Sequence, residues 1–312
     1  DGTVGVPSIG TELCWCTGET TEVSHLFLGT DQALVEARDP STYQGPLHDV
    51  MCFDPGALQL CTTYYWVVDE QEYGITITPG PVWSFTVECC RVIEDFEAYT
   101  LNPDYIWDTW KDGCGDADGL NGNGTGSCIN LSMDVVQSGV KAMTYTYENI
   151  EDSLWDRDAN YSEAVRTFDP ALDLTLTGEV ALIAWFYGNA DNNVTDMWLE
   201  LNGDTGAAAV YGDNGEDAAD IQVEEWIDWN MELAAFTGVD LSAVSTMAIG
   251  FGDKVGGLAD GTMGIMRFDN IEVCPVRCVP KFVDHIIDLN DDCLSDWLDV
   301  GILVDNWLVD RR

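Results

Sequence analysis

The sequence predicts an all-β protein: a β-sandwich, then a jelly-roll β-sandwich, then a short C-terminal calcium loop and helix. Three observations predict it. Short apolar or alternating runs recur along the chain with Gly, Pro and Asp clusters between them, the pattern of strands joined by turns. Apolar residues make up 46% and aromatics 11% of 312 residues, enough for two domains with their own cores plus an appendage. Near the C-terminus, oxygen-bearing side chains fall at the spacing of a calcium-binding loop.

Residues 1–91 read as the first sandwich. Glu12–Cys16, Ser24–Leu28, Tyr64–Val68 and Val82–Val87 are its strands. The stretch Gly5–Gly10 makes a poor first strand, so the sandwich is expected to lack one and to expose an unpaired edge. Either the sequence is truncated or another chain supplies the strand. Leu13 and Trp15, the run Leu60–Trp66 and the last strand Val82–Val87 resemble fibronectin type III domains of bacterial surface proteins. That resemblance implies an Ig-like sandwich that spaces or binds, without catalysis.

Cys89-Cys90-Arg91 marks a boundary, and residues 92–275 read as the second sandwich. It opens with Val92–Tyr99 and closes with Met266–Val273. Between them, Gly139–Tyr147, Ala164–Phe168, Val180–Tyr187, Met197–Leu201, Trp226–Met231 and Met247–Phe251 are strands at the short spacing of a jelly roll. Asp95-Phe-Glu97, Ser138-Gly139, Glu225-Trp226 and Phe268–Ile271 resemble a carbohydrate-binding-module jelly roll. The resemblance implies first and last strands side by side, with a structural Ca²⁺ held by Asp95 or Glu97 and by Asp269. Solvated edge carboxylates are the alternative. Within Asp112–Cys128, turn chemistry explains the Gly, Asp and Asn residues, and a further Ca²⁺ among Asp116, Asp118 and Asn121 is the less favoured reading.

Residues 276–312 hold a linker and the calcium loop. Asp288, Asn290, Asp292, Asp296 and Asp299 occupy loop positions 1, 3, 5, 9 and 12, and Leu294 offers its carbonyl at position 7. Cys293 stands where such loops carry Gly, and Asp299 where they carry Glu. Asp299 followed by Val300, Ile302, Leu303, Trp307 and Leu308 resembles one half of a dockerin type I module. The resemblance implies an extracellular, calcium-dependent docking element whose apolar helix face is covered by its own domain or by another subunit.

Eleven cysteines without paired CxxC motifs point to disulfides and an oxidising exterior. Cys114 with Cys128 is the natural local pair, Cys278 pairs with Cys293, and Cys274 meets Cys89 or Cys90. The odd number leaves at least one thiol free or bonded between chains. Asn123, Asn130, Asn160 and Asn193 head glycosylation sequons. With no initiator Met and no signal peptide, the sequence is expected to be mature or truncated. No apolar run of roughly 18 residues could span a membrane as a helix.

Asp and Glu outnumber Lys and Arg 56 to 12, a formal charge of −44 that repels nucleic acid and anionic lipid. His25, His48 and His285 are scattered, and no nucleophile, metalloprotease or phosphate-loop motif is present. Carboxylate pairs such as Glu224/Glu225 are expected by chance among so many acids, so the chain reads as non-enzymatic. Trp107, Trp110, Trp155, Tyr161 and Trp198 are candidates for stacking on sugar rings, with core packing as the plainer use of each. Two functions fit a secreted, calcium-stabilised surface protein. One is a structural subunit assembling head to tail with its own copies into a filament or layer. The other is a glycan-binding module of an extracellular polysaccharide-attachment or degradation apparatus.

Overall fold

The computed structural model describes residues 1–72, 76–115, 121–150, 159–203, 208–255 and 261–275. It divides into two compact units, Asp1–Arg91 with Leu176–Gly178, and Val92–Thr175 with the chain from Glu179 onward. The calcium loop, Cys278, Cys293, Trp155, Asp116 and Asp118 lie outside the described residues.

In the first unit the strands are β1 (Thr3–Val6), β2 (Leu13–Cys14), β3 (Thr21–Gly29), β4 (Tyr43–Leu47), β5 (Cys52–Phe53), β6 (Thr63–Glu72), β7 (Thr76–Thr78) and β8 (Trp83–Val87), with a short helix α1 (Gln32–Glu36). One sheet runs β1-β8-β6-β3-β4 with β7 on β6, and β2 pairs with β5. Alternation in β3 turns Ser24, Leu26 and Leu28 inward. Leu28 packs with Leu13, Leu58, Leu60, Phe85 and Val87, while Leu26 packs with Trp15 and Val68.

The expected missing first strand is corrected here. Thr3–Val6 runs parallel to β8, pairing Thr3 with Phe85 and Val6 with Val87. Hydrogen bonds from Gly2 N to Ser84 O at 2.8 Å and Glu88 N to Val6 O at 2.9 Å extend the ladder. An unpaired sheet edge recruits whatever extended chain is near, and that gain outweighs the weak strand propensity of a Gly- and Pro-containing segment. Gly5 supplies a left-handed residue (φ +71°) that no ordinary strand residue would adopt, and Pro7 follows the last paired position, where its missing N–H is not needed. The predicted strand Glu12–Cys16 shortens to Leu13–Cys14, clipped to β5 by a Cys14–Cys52 disulfide.

In the second unit the elements are β9 (Arg91–Glu94), helix α2 (Ile106–Thr109), β10 (Trp110–Lys111), β11 (Ser127–Ser132), β12 (Ala142–Asn149), β13 (Tyr161–Leu172), β14 (Ala181–Tyr187), β15 (Met197–Leu201), β16 (Ala209–Val210), β17 (Trp226–Glu232), β18 (Val244–Gly252) and β19 (Thr262–Cys274). Two sheets form, β10-β13-β18-β15-β16 and β11-β12-β19-β14-β17, with the opening strand β9 on the closing strand β19. The protein is all-β apart from α1, α2 and single 3₁₀ turns among the described residues. Inward residues of both sheets make one core, in which Tyr147 stacks on Phe251 with ring centroids 4.4 Å apart.

Cysteine pairing differs in part from expectation. Cys114 bonds to Cys128, and Cys89 bonds to Cys61 rather than to Cys274. Cys61 sits two residues before β6 and Cys89 two after β8, and those strands are hydrogen-bonded neighbours, so the sheet itself brings the two cysteines together. Cys90 and Cys274 are each disulfide-bonded, and among the described residues Cys16 is the free, exposed thiol.

Candidate functional site

Period-two alternation builds the site on the outward face of the first of the two sheets in the second unit. In β15, Met197, Leu199 and Leu201 enter the core, so Trp198 and Glu200 face out; in β18, Met247, Ile249 and Phe251 enter it, leaving Ala248 and Gly250 outside. On β13 the inward Ala164 leaves Tyr161 and Glu163 on the same outer face. Register then sets Glu163, Gly250, Trp198 and Val210 in one row across four strands, with Tyr161 opposite Gly252 and Glu200 opposite Ala248.

Glycine shapes the centre of that row. A Cβ on Gly250 would stand 2.1 Å from Cζ2 of Trp198 and 2.4 Å from Cη2, so the indole lies flat where any other residue would put a side chain. Trp198 Nε1 donates to Gly252 O at 2.9 Å, which fixes the ring in its plane. Tyr161 stands beside it, with centroids 6.3 Å apart and planes tilted by 46°.

Lys254, just past β18, closes the cluster. Its Nζ donates to Glu200 Oε2 at 2.6 Å and to Glu163 Oε2 at 3.0 Å, and it lies 5.1 Å from the Trp198 centroid and 5.8 Å from that of Tyr161. Burial pulls this ammonium toward neutrality, but the hydrogen bonds and charges of Glu200 and Glu163 outweigh it and hold its pKa above the ordinary lysine value. Burial, reinforced by Glu163, raises the Tyr161 phenol. Glu200 is only 1% exposed, and its Oε1 has no hydrogen-bond partner among the described residues. A buried carboxylate oxygen left without a donor costs on the order of 1–3 kcal/mol, more for a charged group. Asp196, Val210, Asp253 and Val255 rim the resulting cavity of about 150 Å³.

Two other depressions lack that feature. An open one of about 770 Å³ in the first unit is lined by Trp15, Trp66 and Trp83, but its carboxylates, Asp1 and Glu12, are exposed. Another, of about 240 Å³, holds the buried Asp69, which is satisfied by Arg38 at 2.8 Å and Gly80 N at 3.0 Å.

Of the candidate aromatics, the fold therefore brings Tyr161 and Trp198 together. Trp110 is fully buried in the core with its Nε1 on Glu94, and Trp107, in α2, packs against the same core and stacks on the N-cap residue Tyr105. Trp110 as a sugar platform is corrected, because β10 points it inward among Phe96 and its neighbours.

The carboxylates proposed for calcium are employed on backbone. Glu97 Oε1 accepts from Val140 N at 2.7 Å and Lys141 N at 2.8 Å; Asp269 Oδ2 accepts from Gln137 N at 2.8 Å and Ser138 N at 3.2 Å. Both thus fasten the loop before β12. The exposed Asp95 accepts from Glu97 N at 3.1 Å.

Among the sequons, Asn123 spends its amide on Lys111 O and Glu163 O, and Asn193 Oδ1 accepts from Met263 N. Asn130 faces solvent from β11, and Asn160 is half-buried.

Glu163, Glu200, Gly250 and Lys254 escaped the sequence reading. The alternation Met197-Trp-Leu-Glu-Leu201 was the available signal, since it places Glu200 on the same face as Trp198.

No family model and no curated protein matches the chain. Among solved structures it is similar to the "Family 11 Carbohydrate-Binding Module from Clostridium thermocellum in complex with beta-1,3-1,4-mixed-linked tetrasaccharide", at 13% identity and a TM-score of 0.36 over 60% of this chain and 96% of that one. It is similar also to a structure of carbohydrate-binding modules "from the beta-sandwich super family", at 10% identity and a TM-score of 0.36 over 86% of this chain and 93% of that one. An exo-beta-agarase matches at 11% identity and a TM-score of 0.41, over 70% of this chain and 30% of the agarase.

Proposed function

We propose that the chain is a secreted, non-enzymatic glycan-binding protein, and that a sugar binds on the outward face carrying Tyr161, Trp198, Glu200, Glu163 and Lys254. The observation that carries this reading is Glu200, a buried carboxylate whose Oε1 has no hydrogen-bond partner among the described residues, and which lines a recess together with Trp198, itself beside Tyr161. A pyranose offers both complements: an apolar C–H face for the rings and hydroxyl donors for the carboxylate. The disulfides suit an oxidising exterior.

Head-to-tail assembly is the weaker alternative. One of its two premises, the open sheet edge, is removed by β1 on β8. The test is affinity electrophoresis of the full chain through gels containing neutral soluble polysaccharides. Retardation by at least one of them should disappear in Trp198→Ala and persist in Trp107→Ala. Equal mobility of wild type and Trp198→Ala in every gel would reject the reading.

A further inference from the structure

The outward face of the second unit has the composition of a cation receptor that already holds a cation of its own. Around the Lys254 ammonium stand Glu200 at 2.6 Å, Glu163 at 3.0 Å, and the rings of Trp198 and Tyr161 with centroids at 5.1 and 5.8 Å. Two carboxylates and two π-faces around one nitrogen form the cage that favours ammonium groups.

The cage is not balanced by its own lysine. Glu163, Glu200, Asp196 and Asp253 stand against the single charge of Lys254, and Glu200 Oε1 still wants a donor. A uronate or sulfate would face those carboxylates at close range and be repelled. A neutral hydroxyl would satisfy Oε1 without charge, whereas a protonated amine satisfies it with a charge-assisted bond and is the kind of group that Glu200 and Glu163 already hold in Lys254.

Resting on the glycan reading above, we propose that the ligand is a glycan with free amino groups, an amino sugar whose ammonium takes the place of Lys254 between Glu200 and Glu163. Lys254 is then an internal competitor. It lies two residues beyond Gly252, whose φ is positive, on the turn that leaves β18, so its side chain can withdraw without disturbing the ladder. Trp198 stays in place, bonded to Gly252 O and seated over Gly250 where no side chain intervenes, and the withdrawal of Lys254 uncovers its ring to the incoming sugar.

Isothermal titration of the full chain tests this with three probes at fixed ionic strength. They are a β-1,4-linked glucosamine hexamer, its fully N-acetylated counterpart and a β-1,4-linked glucose hexamer. A pH of about 6 keeps an ordinary amine protonated. The glucosamine hexamer should bind at least tenfold more tightly than the other two, about 1.4 kcal/mol. Removing the competitor in Lys254→Met should tighten it further, and the near-isosteric Glu200→Gln should abolish the preference for the free amine. Ligand-induced shifts of the melting temperature on the same variants report binding even where a variant is destabilised.

Tetralysine separates the cage from general attraction to an acidic surface. If it binds as tightly as the glucosamine hexamer and Trp198→Ala weakens neither, the inference is overturned. Neutral or acetylated hexamer binding as tightly, and lost in Trp198→Ala, overturns the amino-sugar assignment while leaving glycan binding standing. Binding of none of the three probes overturns the assignment, and the polysaccharide gels then decide whether glycan binding falls with it.

Discussion

Gly250→Ala isolates the geometry on which the site depends. Gly250 does not occupy the left-handed region, so alanine meets no backbone strain there and the whole effect is steric. The new Cβ would stand 2.1–2.5 Å from three atoms of the Trp198 indole. That ring cannot give way cheaply: it is 5% exposed, pinned by its bond to Gly252 O, and flanked by Tyr161 and Lys254. Forcing a methyl into a packed site costs about 1–3 kcal/mol. Stranding the indole N–H adds about 1–3 kcal/mol. Urea unfolding should therefore show a loss of about 2–6 kcal/mol, with altered near-UV circular dichroism in the native baseline. In a double-mutant cycle, Gly250→Ala should cost little once Trp198 is already alanine, because the clashing ring is gone. Additive losses, or a Gly250→Ala protein within about 0.5 kcal/mol of wild type, would refute the reasoning.

Three further outcomes are expected. Glu94, 5% exposed, receives Phe96 N at 2.9 Å, Tyr99 Oη at 2.6 Å, Trp110 Nε1 at 3.1 Å and the Arg166 guanidinium, so Glu94→Ala should cost about 3–5 kcal/mol by urea unfolding and Glu94→Gln less. Burial raises the carboxyls of Asp228, Asp269 and Glu272 above the ordinary carboxylate range, and a raised acid contributes stability at low pH that is lost as pH climbs through its folded value. The −44 charge acts in the same direction, so calorimetry at constant ionic strength should give a higher melting temperature at about pH 5 than at about pH 7, and Asp228→Asn should flatten the difference. For the C-terminal loop, we propose that Asp288→Ala with Asp292→Ala removes one Ca²⁺ equivalent by titration calorimetry; unchanged stoichiometry would dismiss the loop as a calcium site.

What the sequence disclosed followed from periodicity. Runs such as Val180–Tyr187 and Met247–Phe251 announced strands because the core they enter imposes alternation or a continuous apolar pattern. Two-residue strands like Leu13–Cys14 and Trp110–Lys111 carry no such signal, since neighbouring strands define them. Thr3–Val6 was hidden for the same reason: its partner edge, β8, lies some eighty residues away.

The site was half legible. Its aromatics are conspicuous residue types, whereas Glu200 and Glu163 are two acids among 56. What distinguishes them is burial around Lys254, a property of three strands meeting in register that no local stretch records.

The most direct test is a titration of indole-labelled protein followed by NMR. The Trp198 Nε1–H resonance, whose proton points at Gly252 O, should shift progressively and saturably as glycan is added. The resonances of the core residues Trp110 and Trp229 should stay fixed, since they lie 0% and 1% exposed in the sandwich interior. A bound glycan that leaves Trp198 unmoved would contradict the account.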